Sequence, residues 1–426
     1  MNLRSIAPER IPAPAKLFLV GVVFNGIGNG IFNVVMQLYF ASIGISSATL
    51  GSILMMNALS AAILTIPMGI VANRYGKKRL MYVCAGSLIV AVPLLLLTKS
   101  VLMFKLAFLS IGVSNAAAVV FSPIYSSFFD KDEMDKAFGF YFALNIATIS
   151  LGSLLGFIPP LLVGRFGFSL SSSYWSFMAF GAVFFVSQNF FYLLAMKDYK
   201  ESEARNGFSF NLASKDLVFK ISLIQLLSAA SVGVFFSLFP FYVNKKFGLE
   251  SDALGGLFFV SNLLSAGVQV LSSRVSNRLG SLRTIAVAFG LAAPFYLLIP
   301  LAPSFAWLST FYVMRLSFAT IAAPLLSSIL MKDLRDEERA TANSIRMMAM
   351  QGGGVIGPWL GGALMERVSL EFPAFVGGGL YAAMAALTFL MFRKAQPVPV
   401  VGPVTVVEPS YESPYPGEAN PIPFED

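Results

Sequence analysis

The sequence predicts an all-α membrane protein, with twelve transmembrane helices arranged as two pseudo-symmetric six-helix bundles. Three observations carry that prediction. The 426 residues are 56% hydrophobic and 12% charged, whereas an ordinary soluble domain carries about 25% charged residues. Apolar runs long enough to cross a bilayer recur twelve times. A basic turn between two of them, Gly69-Ile70-Val71-Ala72-Asn73-Arg74-Tyr75-Gly76-Lys77-Lys78-Arg79, has a weaker copy at 273–283, where Asn277, Arg278 and Gly280 repeat Asn73, Arg74 and Gly76 at an offset of 204 residues.

Taken in order, the chain begins with a polar stretch, 1–15, that carries Arg4 and Arg10. The run after it exceeds 20 residues and has no small-residue cleavage site, so it reads as a retained first span and not as a signal peptide. A hydrocarbon core of about 30 Å takes roughly 20 helical residues. On that ruler the first six spans fall at 16–42, 49–72, 79–97, 101–129, 137–164 and 171–196, making an N-terminal bundle over 16–196. A charged linker, 197–213, follows. Six more spans at 214–244, 250–275, 282–300, 304–331, 338–365 and 371–393 make a C-terminal bundle over 214–394. Runs longer than the minimum imply tilt. The tail, 395–426, is rich in proline and its charges are all acidic, a composition that predicts disorder.

Loop cations set orientation. With both termini cytoplasmic, 22 Lys and Arg fall on the cytoplasmic side and six (Lys99, Lys105, Arg165, Lys245, Lys246, Arg367) on the other, with Arg315 and Arg346 inside spans. A multi-pass protein of the cell membrane with both ends inside is the expectation. The net charge of +8 is thus spread over loops, and a nucleic-acid partner is not implied.

Conventional enzyme chemistry is largely excluded. There is no histidine, and the single cysteine, Cys84, lies in an apolar run. His-based triads, His/Cys metal sites and disulfide chemistry therefore have no residues to use. No phosphate-binding G-x-x-x-x-G-K-[ST] loop occurs. The chain is read as a non-enzyme without cofactor or metal, acting as a monomer on a small molecule in the lipid bilayer.

Further echoes support duplication. Tyr39, Gly44, Leu50 and Gly51 recur as Tyr242, Gly248, Leu254 and Gly255. Pro123, Ser126 and Ser127 recur as Pro324, Ser327 and Ser328, and Gly152 and Gly156 as Gly353 and Gly357. Two parallel halves related by an axis along the membrane normal place a substrate site near the midplane between them.

Span count, duplication and the basic turn together resemble the major facilitator superfamily of secondary transporters, over roughly 16–394. Gly69, Arg74, Gly76, Lys77 and Lys78 fit that family's signature between spans 2 and 3. Asn73 stands where the family usually has an acidic residue. The resemblance implies that this turn, with its echo Asn277, Arg278 and Gly280, closes the cytoplasmic ends of the two halves in one state. Asn73 then implies a softer latch, because it hydrogen-bonds without charge. Gly353, Gly357 and Pro358 resemble a glycine–proline gating signature of antiporters in the superfamily. Close helix packing by small residues accounts for the same spacing.

Candidate substrate contacts follow from polarity in apolar surroundings. Asn25, Asn29, Asn33 and Gln37 recur at four-residue spacing in span 1, so they form one slowly turning stripe. Such a stripe faces the bundle or a wet cavity, not lipid. Asn115 adds a polar group in span 4. Arg315 lies about 16 Å into span 10, and Arg346 enters span 11 from the other side. Every acid before the tail maps to a terminus, loop or span end, so unpaired arginines favour an anionic or carboxylate-bearing solute. Arginines pinned to helix carbonyls are the competing reading. The same lack of deep acids argues against simple proton coupling. The function expected is alternating-access transport of a small organic solute. Export of hydrophobic drugs or amphiphiles and lipid flipping are the alternatives.

Overall fold

The structure, a computed structural model, describes residues 10–130, 133–197, 199, 214–333 and 336–392. The tail 395–426, residues 200–213 of the linker, residues 1–9 and the side chains of Asn73 and Asn277 lie outside the described residues. Twelve long helical segments follow in chain order. The first six are α1 (Ala13–Ser42), α2 (Ser47–Tyr75), α3 (Lys77–Leu96), α4 (101–126), α5 (134–166) and α6 (Leu170–Ala195). The second six are α7 (215–247), α8 (Ser251–Leu279), α9 (281–301), α10 (Phe305–Asp333), α11 (Asp336–Arg367) and α12 (Phe372–Phe392). No strand occurs among the described residues. Helices satisfy every backbone group within the segment, which a bilayer core demands.

Eleven of the twelve are long and apolar enough to cross a membrane. The exception is α11, which has the length, at 32 residues. Its glycines, with Gln351 and Pro358, hold its hydropathy down because it is built to pack against other helices rather than to face lipid. Large apolar side chains such as Phe142, Phe190, Leu263 and Phe389 are exposed on the outer surface, as expected of a body solvated by acyl chains.

Three helices are interrupted by a short 3-10 turn, 118–120 in α4, 155–157 in α5 and 236–238 in α7, and α9 ends in another at 299–301. Each interrupting turn has a proline just beyond it, Pro123, Pro159 and Pro240. A proline clashes with the carbonyl four residues back and gives that carbonyl no donor. Those carbonyls belong to Val119, Leu155 and Phe236, all inside the tightened turns. Proline alone does not decide the break, since Pro67, Pro93, Pro294 and Pro358 lie inside uninterrupted α-helix.

Within the N-terminal half, α1 packs on α5 and α6, and α4 packs on α2 and α3. In the C-terminal half, α7 packs on α11 and α12, and α10 packs on α8 and α9. The halves meet along α2 with α11 and α5 with α8, and α1 also touches α7. Exchanging the halves turns the first seam into the second, as a duplicated body requires. The two ends of the bundle differ in charge. One, called the basic face here, carries the α2–α3 and α8–α9 turns. Gly76 (φ 96°) and Gly280 (φ 82°) hold those turns in a backbone region open to glycine. The opposite face carries the α1–α2, α7–α8 and α11–α12 turns.

Candidate functional site

Between the halves, near mid-depth, lies a cavity of about 670 Å³. Its N-terminal wall includes Asn33, Gln37, Asn57, Phe108, Asn115 and Ser153. Its C-terminal wall includes Phe236, Ser237, Phe258, Asn262, Tyr312, Gln351 and Pro358. Six of these are carboxamides. None of the described residues lining the cavity carries a charge.

The amide stripe of α1 divides at Asn33. Asn33 and Gln37 face the cavity, whereas Asn25 donates to Gln188 Oε1 of α6 (2.5 Å). Asn29 bonds back to the carbonyl and side-chain oxygens of Asn25 (both 3.0 Å). Asn25 therefore joins α1 to α6, with Asn29 bonded to it within α1, and neither lines the cavity. Gln37 bridges the halves: its Nε2 donates to the Ser237 carbonyl (2.7 Å), and its Oε1 accepts from the Phe241 N–H (3.3 Å). Both partners lie at the 3-10 break of α7, where backbone groups lack helical partners. Asn115 donates to Asn57 Oδ1 (3.0 Å), tying α4 to α2.

Arg315 is not among the residues lining the cavity. It is 4% exposed, and its guanidinium lies 4.4 Å from the Phe236 ring centre, 5.0 Å from Tyr381 and 5.3 Å from Tyr296. Its Nε has no hydrogen-bond partner. The expected midplane arginine is present, but Phe236, itself in the cavity wall, stands between it and the open space. Cation–π contacts contribute about 2 kcal/mol or more when desolvated, so the three rings replace the missing acid. Arg346 is half-buried with a contact from Nη2 to the Met347 sulfur (3.6 Å), and it too is absent from the cavity lining. The arginines expected to meet the solute are thus both set away from it.

The seams explain the glycine patterns. A Cβ on Gly51 would overlap the Pro358 carbonyl oxygen, and one on Gly362 would overlap the Ser47 carbonyl. Gly156 faces Ser251 and Gly255 across the other seam. Ser47 Oγ also donates to the Gly362 carbonyl (3.2 Å), and the Ala48 N–H donates to Glu366 Oε2 (2.9 Å). Among the described residues, every hydrogen bond between the halves lies at the cavity or on its opposite-face side. Gly353 and Gly357 do something different: they bring α11 against Leu226 and Gly233 of α7, within one half. Pro358 alone of that expected gating trio reaches the seam and the cavity.

On the basic face the described contacts of the signature turn run to the start of the linker. Lys77 Nζ donates to the Tyr199 hydroxyl (3.3 Å) and Lys78 Nζ to the Lys197 carbonyl (3.4 Å). The Arg74 guanidinium lies 5.4 Å from the Tyr75 ring. Gly69 has open space at its Cβ position, and Arg278 is exposed.

Sequence reasoning missed Asn57, Asn262, Gln351, Phe236 and Tyr312. A signal was available for two of them: Asn57 and Asn262 are 205 residues apart, within one residue of the offset that relates the two basic turns.

A two-bundle helical body with a polar pocket between its halves has the architecture of a membrane carrier. The Major Facilitator Superfamily profile matches residues 18–335 and 221–413, and the chain belongs to that family. It is 21% identical over 367 residues to an uncharacterised MFS-type transporter of Methanocaldococcus jannaschii, covering 82% of this chain and 93% of that protein. Its fold is similar to a bacterial homolog of the human lysosomal transporter Spinster in an inward-facing, occupied conformation, with TM-score 0.67, 14% identity, and 89% and 96% of the two chains covered. It is also similar to the nucleoside transporter NupG (TM-score 0.67, 15% identity, 90% and 100% covered). The human organic anion transporter MFSD10 is a further structural relative (TM-score 0.60, 15% identity, 88% and 100% covered).

Proposed function

We propose that the chain is a secondary carrier that moves a small organic solute by alternating access, with its basic face cytoplasmic. The observation behind this reading is the position of the cavity. It lies between the two halves, which meet along α2 with α11 and along α5 with α8. Asn33, Asn115 and Gln37 line the cavity together with Asn57, Asn262 and Gln351, and in this reading these amides contact the solute. An anionic solute would need Arg315 or Arg346, and both lie off the cavity. Export of lipophilic compounds or a flipped acyl chain would leave the carboxamides desolvated without partners, at about 1–3 kcal/mol for each group.

The test uses Asn262→Cys in a Cys84→Ala background, in sealed vesicles of both orientations, with a membrane-impermeant maleimide. Labelling from the cytoplasmic side in the resting protein, with labelling from the other side under turnover, is the expected result. A cysteine reached from one side under every condition would remove alternating access. Reporter fusions that put the two chain ends on opposite sides of the membrane would remove the orientation.

A further inference from the structure

We infer that the cavity selects an uncharged solute built from a flat, nitrogen-containing ring and a hydroxyl-bearing arm, the chemistry of a nucleoside. The inference rests on the carrier reading above and deepens it. It begins with the hydrogen-bond ledger of the cavity's six carboxamides. Gln37 spends both its donor and its acceptor across the halves. Asn115 and Asn57 spend one donor and one acceptor on each other, which leaves the Asn57 amide nitrogen and the Asn115 oxygen unused. Asn33, Asn262 and Gln351 make no hydrogen bond among the described residues. Three complete amides and one divided pair therefore face a space large enough for a small solute.

A carboxamide offers a donor and an acceptor side by side. The matching ligand group is another donor–acceptor edge, as on a nucleobase, where Asn and Gln pair bidentately, or a pair of neighbouring hydroxyls. Such groups suit a neutral partner. A carboxylate or phosphate would use only the donors and would leave water with no counter-charge, since no described lining residue is cationic.

The C-terminal wall supplies the second requirement. Phe236 and Phe258 both pack against Tyr312, with ring centres 5.7 Å and 6.0 Å from it. All three line the cavity. A cluster of rings facing an open space stacks on a flat ring, and a saturated polyol makes poorer use of it. The Arg315 guanidinium, 4.4 Å from the Phe236 ring centre, helps fix that ring in place. Amides toward the edge and arm of the solute, with aromatic rings toward its face, describe one ligand class.

The probe set is tritiated uridine and adenosine, with uridine 5′-monophosphate, glucose and benzoate as comparators, in counterflow with the full chain in proteoliposomes. Saturable counterflow of at least one nucleoside is expected, with none of the monophosphate or benzoate. Asn262→Ala and Gln351→Ala should each raise the half-saturating nucleoside concentration about tenfold. Neither side chain has an internal partner among the described residues to lose, so the melting temperature of each variant should stay unchanged. Counterflow of glucose, benzoate or the monophosphate without nucleosides would overturn the nucleoside inference and leave the carrier standing. Absence of flux for every probe, with cysteine access still alternating, would also overturn it. Absence of flux with fixed cysteine access would overturn both readings. Nucleoside affinity that ignores both amide variants would place the solute elsewhere and overturn the inference as well.

Discussion

The two ends of the bundle close by different chemistry. On the opposite face the halves meet backbone to backbone, because Gly51, Gly156, Gly255 and Gly362 leave no side chain in the way. Hydrogen bonds from Gln37, Ser47 and Ala48 then cross the gap. On the basic face the matching turn is rich in cations, and Lys77 and Lys78 donate to Tyr199 and Lys197 at the start of the linker. Contact of apposed glycine surfaces is short-ranged and lost with a small displacement. Charges act over longer distances and need an acidic or carbonyl partner. One face thus depends on shape and the other on electrostatics, so each can be altered with little effect on the other.

The sharpest break in that contrast is steric. Gly51→Val places a methyl-bearing Cβ on the Pro358 carbonyl, where backbone cannot step aside. Overpacking costs about 1–3 kcal/mol, so the opposite face should lose about 10- to 100-fold in its closed-to-open ratio. A cysteine at Asn262 would then label from that side at rest. The equivalent change at Gly69, where open space surrounds the Cβ position, should leave the ratio unaltered. Equal effects at both sites would dissolve the distinction between the faces.

Next in size is Gln37→Leu. It removes both bonds to the break in α7 and leaves the Ser237 carbonyl and Phe241 N–H without their cross-half partner. A loss of about tenfold in the same ratio is expected, near the net worth of one well-made bond, because water reaches these groups once the face opens. Measured in the same labelling assay, an effect smaller than twofold would show that the glycine seam closes this face unaided.

Asn73→Asp probes the other face. A charged acceptor strengthens hydrogen bonds about twofold over a neutral one. The variant should favour closure of the basic face by about threefold and slow cytoplasmic labelling at residue 262 accordingly. No change would remove residue 73 from the latch that the family resemblance assigns to it.

The contrast between faces also marks what the sequence disclosed. Twelve apolar runs, their cations and the 204-residue echo dictate the body plan, since lipid tolerates few alternatives to helices of that length. The breaks in α4, α5 and α7 were less legible, because Pro67, Pro93, Pro294 and Pro358 lie inside helices that stay unbroken. Direction around a helix was harder to read. Four residues advance a helix by 400°, so the α1 stripe turns about 40° at each step. Across twelve residues that drift carries Asn25 toward α6 and Gln37 toward the cavity. The depth of Arg315 followed from counting residues, but its azimuth did not, because the surrounding rings come from α7, α9 and α12. Asn57 and Asn262 could have been found by pairing the halves, whereas Gln351 has no amide counterpart at any of the repeat offsets.

The smallest effect concerns the Glu366 carboxylate at the rim of the opposite face. The Ser46 hydroxyl, the Ala48 N–H and the neighbouring Arg367 hold it below the usual carboxylate range. These partners favour the ionised form when the face is closed, whereas an opened face returns Glu366 toward its ordinary value near about 4.3. The linkage sign follows. The stabilisation of the closed face is fully present above the ordinary value and is lost as pH falls through the depressed one. At neutral pH the contact is intact, and because the group is exposed its share is small. Glu366→Gln should shift the closed-to-open ratio by less than about threefold at pH 7 and abolish its change between pH 5 and pH 3. A variant that kept the acid response would trace it to another carboxyl at that rim.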